Sequence, residues 1–226
     1  MQEIGRILKG KTTVLLDLDG TLVDSVNAHA VSWKKVLSRH GHEVDLSSLE
    51  RLIGMGEDKM LRSAIGEVSE AEEKVLTDER SSRFRKNEIR DVRPFERALE
   101  LIKALRENGL TVMLATAASA DDRDALLKQG GLQDAFEEFV SSDQVEGSKT
   151  EPDLIQTILE KLHVAPAECI LVGDSPFDAE AASRAGVDFV GVESGAYTRD
   201  ELPYTVAVFP SVNEFAQMLT RRIAWT

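Results

Sequence analysis

Two carboxylates two residues apart, where a buried strand must end, constrain this chain more than any other feature. The apolar run Val14-Leu15-Leu16 is followed directly by Asp17-Leu18-Asp19-Gly20-Thr21. Alternate side chains of an extended segment share a face, so Asp17 and Asp19 point to one side while Leu18 turns toward the core. Gly20 then permits a sharp turn. Acids held this close repel each other and shift each other's proton equilibria unless a cation or a shared proton intervenes. A chain that sets up this conflict at a strand mouth is a candidate to use it. The pentapeptide alone fits equally well a polar turn after a strand, because Asp-Gly is a common turn dipeptide.

Strand-like and helix-like patterns alternate along most of the 226 residues, which predicts an α/β fold with a parallel sheet covered on both faces. Strands are expected at 12–17, 111–116, 138–141, 169–174, 188–192 and 205–209. One helix is expected from Pro94, a tolerant first-turn position, to Asn108; it buries Ala98, Leu101, Ile102 and Leu105 and stops at Gly109. Ser119 and Ser175 are candidate caps of two more, ending at Gly130 and Gly186. Between about Ser25 and Val92 only helical patterns occur, including 26–40 and a segment opened by the capping box Ser69-Glu70-Ala71-Glu72. Such an insert is too long for a simple loop. It predicts a helical bundle over 25–92 on linkers near Asp24 and Arg93, with 1–24 and 93–226 forming the sheet core.

Composition narrows the partners. A net charge of -13 and a pI near 4.8 argue against nucleic acid, whose phosphates demand a basic surface. The single cysteine, Cys169, excludes an internal disulfide and reads as a small buried hydrophobe within a strand. No stretch has the length of a membrane span and the N-terminus lacks a long apolar run, so a cytoplasmic protein without a membrane partner is expected.

Three further stretches follow the first in order. Thr116 ends Val112-Met113-Leu114-Ala115, Lys149 opens Lys149-Thr150-Glu151-Pro152-Asp153, and Gly173-Asp174-Ser175-Pro176-Phe177-Asp178 follows Cys169-Ile170-Leu171-Val172. Together the four resemble the signatures of the haloacid dehalogenase superfamily, over essentially the whole chain. The resemblance implies a Rossmann-like core with an inserted, all-helical cap. It also implies Asp17 as a nucleophile toward phosphorus, with Asp19 as general acid and base. Asp17, Asp174 and Asp178 beside a phosphoryl dianion need a metal, and oxygen-only ligands favour magnesium. Asp17, Asp174 and the backbone carbonyl of Asp19 are the expected direct ligands, with Asp178 acting through water or on its neighbours. Thr116, Lys149 and backbone N–H groups around Gly20 and Ala117 would cradle the phosphate. Taken singly, a threonine after a strand is a turn or cap residue and a lone lysine is solvated. The chain departs from the family at Thr150, where proline is usual, and at Phe95, where glycine is usual. Dehalogenases proper lack an acid at the position of Asp19, which therefore points to phosphate esters.

Asp24-Ser25, His29, Trp33 and Arg51-Leu52-Ile53-Gly54 resemble the cap of beta-phosphoglucomutase-like members. Positions that carry Lys and Arg in that mutase align with Ile53 and Glu57, and neither can hold a second phosphate. A phosphatase related to phosphoglycolate and sugar-phosphate phosphatases is therefore expected, with a mutase as the alternative. A signalling receiver would lack Asp19 and the insert, and a catalytically silent binding protein would not need the full set of groups. Trp33 reads as cap core; His29 fits either cap core or a place at the hinge, where it could sense proton movement on closure, and is a candidate for substrate contact. Arg51 and Lys59, flanking Gly54-Met55-Gly56, are candidates for reading a substrate anion or for simple solvation. The run Arg80, Arg83, Arg85, Lys86, Arg90 and Arg93 reads as a solvated face, with Arg83, Lys86 or Arg90 as a lesser possibility for substrate contact. A small phosphorylated metabolite is the expected partner, bound by a monomer or homodimer.

Overall fold

A computed structural model describes residues 2–136, 139–141 and 151–223. Its strands are β1 (Thr13–Leu16), β2 (Val23–Asp24), β3 (Arg93–Pro94), β4 (Thr111–Thr116), β5 (Phe139–Ser141), β6 (Cys169–Gly173), β7 (Asp188–Val192) and β8 (Thr205–Phe209). Six of these form one sheet in the order β5-β4-β1-β6-β7-β8, parallel throughout. β1 is central and buried along its whole length, which is why it reads as an unbroken apolar run. The period of two then sorts its side chains. Val14 and Leu16 join one core with Leu101, Leu105, Phe215 and Leu219. Leu15 faces the other core, with Ile158 and Ala182.

The helices are α1 (Gln2–Ile7), α2 (Val26–Arg39), α3 (Leu46–Glu50), α4 (Glu57–Ile65), α5 (Glu70–Lys86), α6 (Ala98–Glu107), α7 (Ala120–Gln129), α8 (Glu151–Leu162), α9 (Pro176–Ala185) and α10 (Val212–Ile223). Of these, α6 and α10 cover one face of the sheet, and α8 and α9 the other. The expected caps are present: Ser69, Ser119 and Ser175 accept from the N–H of Glu72, Asp122 and Asp178. Gly186 closes α9 in the left-handed conformation, at φ 72°.

The insert is helical, α2 to α5, and has its own core of Ala30, Trp33, Leu37, Leu49, Leu61 and Leu76. Its two connections run side by side as an antiparallel pair, with Val23 opposite Pro94 and Asp24 opposite Arg93. This pairing corrects one expectation. Pro94 is held extended, and the Phe95 N–H donates to the Leu22 carbonyl at 3.0 Å, so the helix expected from Pro94 begins at Ala98. Cys169 is fully buried, and burial pushes its thiol up to about 12. No helix among the described residues is long and apolar enough to cross a membrane.

Candidate active site

The carboxyl ends of β1, β4 and β6 meet where the chain order reverses about β1, the usual place for a ligand in such sheets. Asp17 follows β1 directly, and its N–H donates to the Val172 carbonyl at 3.0 Å, which fixes it against β6. Asp174 follows β6 and is 5% exposed. Asp178 stands in the first turn of α9, where its Oδ2 accepts from the Ser175 N–H at 3.0 Å and from Ser175 Oγ at 2.6 Å. The capping box that starts the helix thus also orients a carboxylate. Asp17, Asp174 and Asp178 each offer an oxygen within 4.8 Å of the others'.

Backbone packs closely around these acids. A Cβ on Gly20, which has φ 78°, would come within 2.4 Å of Asp174 Oδ2, and one on Gly195 within 1.6 Å. Ser194 Oγ donates to the Gly20 carbonyl at 2.7 Å, tying the segment after β7 to the turn after β1. Thr21 Oγ1 donates to Asp174 Oδ1 at 3.3 Å.

Electrostatics separate the acids into two kinds. Burial first, then repulsion from Asp178, Asp174 and Asp19, pushes the Asp17 carboxyl well above the usual range. Burial and Asp178 do the same to Asp174, and burial pushes Asp178 up to about 6. Three desolvated carboxylates with only oxygen donors fit a hard divalent cation, which would relieve this repulsion. The cluster is therefore able to hold a metal ion.

Asp19 behaves in the opposite way. Burial raises its proton affinity, but His29, Ser25 and Arg80 outweigh that and hold it below the usual range. Ser25 Oγ donates at 2.5 Å, and His29 Nε2 lies 2.9 Å from the same carboxylate oxygen. Arg80 Nη1 is 3.3 Å from His29 Nδ1. A guanidinium can only donate, so Nδ1 accepts and Nε2 carries the proton that points at Asp19. The imidazole stacks on Phe84 with ring centres 4.0 Å apart.

A cavity of about 90 Å3 lies between sheet and cap. Asp17, Asp19, Thr116, Ala117, Asp174 and Asp178 line it from the core, and His29, Trp33, Ile53, Glu57, Met60 and Arg80 from the cap. Most of the residues expected at the site are thus brought together. Gly20 reaches it only as backbone beneath Asp174. Lys149 lies outside the described residues. Arg51 and Lys59 do not line the cavity. Arg51 instead pairs with Glu201 at 2.7 Å and lies 4.5 Å over the Tyr197 ring, whose hydroxyl donates to the Arg51 carbonyl. Lys59 is exposed on α4.

Arg80 corrects the reading of its run as a solvated face. It is 4% exposed, paired with Glu57 and, at 2.8 Å, with Asp122 Oδ2 on α7. The signal was present in the spacing: Leu76, Arg80 and Phe84 stand four apart and form the buried stripe of α5. Asp122, Gly195 and the contact of Ser25 with Asp19 also escaped sequence reasoning. A serine, an aspartate and a glycine in polar segments carry no distinguishing pattern.

The family model for haloacid dehalogenase-like hydrolases matches residues 14–192. The chain belongs to this family. It is an enzyme of the phosphatase type. A phosphoglycolate phosphatase of Thiobacillus denitrificans is 31% identical over 218 residues, covering 92% of this chain and 95% of that protein. A fructose-1-phosphate phosphatase of Escherichia coli is 27% identical over 183 residues, covering 79% and 95%. Among solved structures, a hydrolase from Pseudomonas syringae superposes with a TM-score of 0.86 at 27% identity, covering 93% of this chain and 99% of its own.

Proposed function

We propose that this chain is a magnesium-dependent phosphatase of small phosphate monoesters, of the sugar-phosphate or phosphoglycolate kind, working through an aspartyl phosphate on Asp17. One observation carries the reading: three mutually repelling carboxylates share a cleft with a fourth, Asp19, which has its own hydrogen-bond partners in Ser25 and His29.

In this reading an oxygen of Asp17 attacks phosphorus, the ester P–O bond breaks, and the departing alcohol takes a proton from Asp19. His29, Ser25 and Arg80 hold the Asp19 carboxyl below the usual range; a phosphoryl dianion beside it would raise its affinity for the proton it must donate. Water then attacks the phosphorus of the aspartyl phosphate, Asp19 accepts the proton, and inorganic phosphate leaves with Asp17 regenerated. Thr116, only 1% exposed, accepts from the Ala118 N–H at 3.2 Å and has its own hydroxyl proton to offer a phosphate oxygen. Lys149 would add a positive charge at the same oxygens. Asp17 and Asp174, with the Asp19 carbonyl, would hold magnesium and Asp178 would steady it; when bound, the ion supplies charge neutralisation at the phosphoryl group. The insert, with 25–92 as its extent, would act as a cap closing over the cavity. Hydrolysis is preferred to phosphomutation because Ile53 and Glu57 line the cap side of the cavity and neither holds a second phosphate.

The test is phosphate release from an aryl phosphate such as p-nitrophenyl phosphate, with magnesium and with a chelator, for the wild type and Asp17→Asn. Turnover that needs magnesium and falls by about a thousandfold or more in the variant is expected. Turnover that survives either change would remove the assigned roles.

A further inference from the structure

The cavity wall opposite the candidate phosphate site poses a charge problem. Among its described lining residues there is a single lysine or arginine, Arg80, against the carboxylates of Asp17, Asp19, Glu57, Asp122, Asp174 and Asp178. That one guanidinium is already engaged on both sides. Its Nη2 pairs with Glu57 and its Nη1 with Asp122 and the His29 ring. The Trp33 ring lies 5.2 Å beneath it. Glu57 belongs to the first turn of α4, is only partly exposed, and faces the same cavity. The remaining cap surface, Trp33, Leu52, Ile53 and Met60, is apolar.

A leaving group with its own negative charge would meet Glu57 and find no unpaired described cation to receive it. Inside a low-dielectric cleft such a mismatch is costly. A neutral hydroxylated group meets a different surface. Glu57 can accept from its hydroxyls, and Trp33 and Met60, which line the same wall, suit the C–H faces of a polyol.

We infer that the alcohol portion of the substrate is uncharged, a polyol or sugar and not a carboxylate or second phosphate, and that Glu57 enforces this by occupying the cap guanidinium of Arg80. The inference rests on the phosphatase reading and narrows it. Glu57 is thereby a specificity-determining residue, and its removal should uncover a latent anion site on Arg80.

Two matched pairs of esters test it: glycerol 1-phosphate against 3-phosphoglycerate, and 2-hydroxyethyl phosphate against phosphoglycolate. Each pair differs in a hydroxymethyl group replaced by a carboxylate. In the wild type, kcat/KM for the neutral member should exceed that for the acid by about tenfold or more. Glu57→Gln should shrink that ratio by about tenfold, through a lower KM for the acids, whereas Glu57→Asp should retain it. A wild-type ratio of one or less, or turnover of aryl phosphate with neither neutral ester accepted, overturns the inference while leaving the phosphatase reading in place. A ratio that Glu57→Gln leaves unmoved, in a variant that melts like the wild type, removes Glu57 from the explanation and overturns it too. Loss of aryl phosphate turnover in the wild type defeats the underlying reading itself. The wild-type ratios need no variant to fold.

Discussion

Nε2 of His29 lies 2.9 Å from Oδ1 of Asp19, a contact that joins the first helix of the cap to the turn after the central strand. Arg80 on the far side of the ring fixes which nitrogen carries the proton. The histidine therefore holds Asp19 in place through the N–H of Nε2. His29→Leu should lower kcat by about tenfold to a hundredfold, part of what a general acid and base contributes, with KM changed little. His29→Gln, whose amide can still donate, should retain more. Steady-state kinetics on an aryl phosphate decide it; an effect confined to KM would place His29 in binding instead.

The raised carboxyls at the metal-type cluster carry a sign that can be checked. Asp178 stands at about 6 against an ordinary value near 3.8, and Asp17 and Asp174 are displaced in the same direction. The folded chain therefore holds these protons more tightly than the unfolded one, and stability falls as pH rises through the folded values. For Asp178 alone the effect is on the order of 3 kcal/mol. Below pH 4 the depressed carboxyls of Asp19 and Glu201 act the other way. In chelator, the melting temperature should thus peak near pH 4 and decline as the pH rises through about 6. Magnesium should restore most of the loss at pH 8 and little at pH 5. Asp178→Asn should flatten the decline. A melting temperature that rises from pH 5 to 8 in chelator would contradict the cluster's assigned energetics.

Sheet and site were legible in the sequence to different degrees, for physical reasons. β1 declared itself because a strand buried on both faces must be continuously apolar. Asp17 was readable as half of a paired-acid turn at a strand end, and Asp174 and Asp178 through the resemblance of the segment from Gly173 to Asp178 to a family signature. Pro94 misled because its conformation is set by Val23 and Leu22, some 70 positions earlier in the chain. Arg80 was hidden for a similar reason. Its burial depends on Glu57 and Asp122, partners on α4 and α7 that no local window contains. The role of Arg51 likewise depends on Tyr197 and Glu201, far along the chain.

Arg51 latches the cap to the core outside the cavity, through Glu201, the Tyr197 ring and its own carbonyl. Contacts this exposed contribute little to global stability and are screened by salt, but they bridge the two parts that opening of the proposed cap would separate. Arg51→Ala should leave the melting temperature nearly unchanged, raise KM a few-fold, and remove much of the salt dependence of KM. A large drop in melting temperature, with KM unchanged, would make Arg51 a structural residue only.

Gly195 approaches the carboxylate cluster from the segment after β7 and leaves no room for a side chain. A Cβ there would lie 1.6 Å from Asp174 Oδ2, inside any permissible contact, and Asp174 is itself held by Thr21 and walled by Gly20. Gly195→Ala must therefore displace either Asp174 or the 194–197 segment, which also carries Ser194 against Gly20 and Tyr197 against Arg51. Magnesium affinity, read by the ion's effect on the melting temperature, should fall about tenfold to a hundredfold, the scale seen when groups supporting a metal's ligands are lost. Turnover should fall in parallel and recover partly at high magnesium. Gly186→Ala, at φ 72° but with only Pro166 Cβ near, 3.5 Å from the added carbon, should cost stability without changing magnesium affinity. Equal effects of the two substitutions on ion binding would mean that Gly195 acts through general backbone strain, not through Asp174.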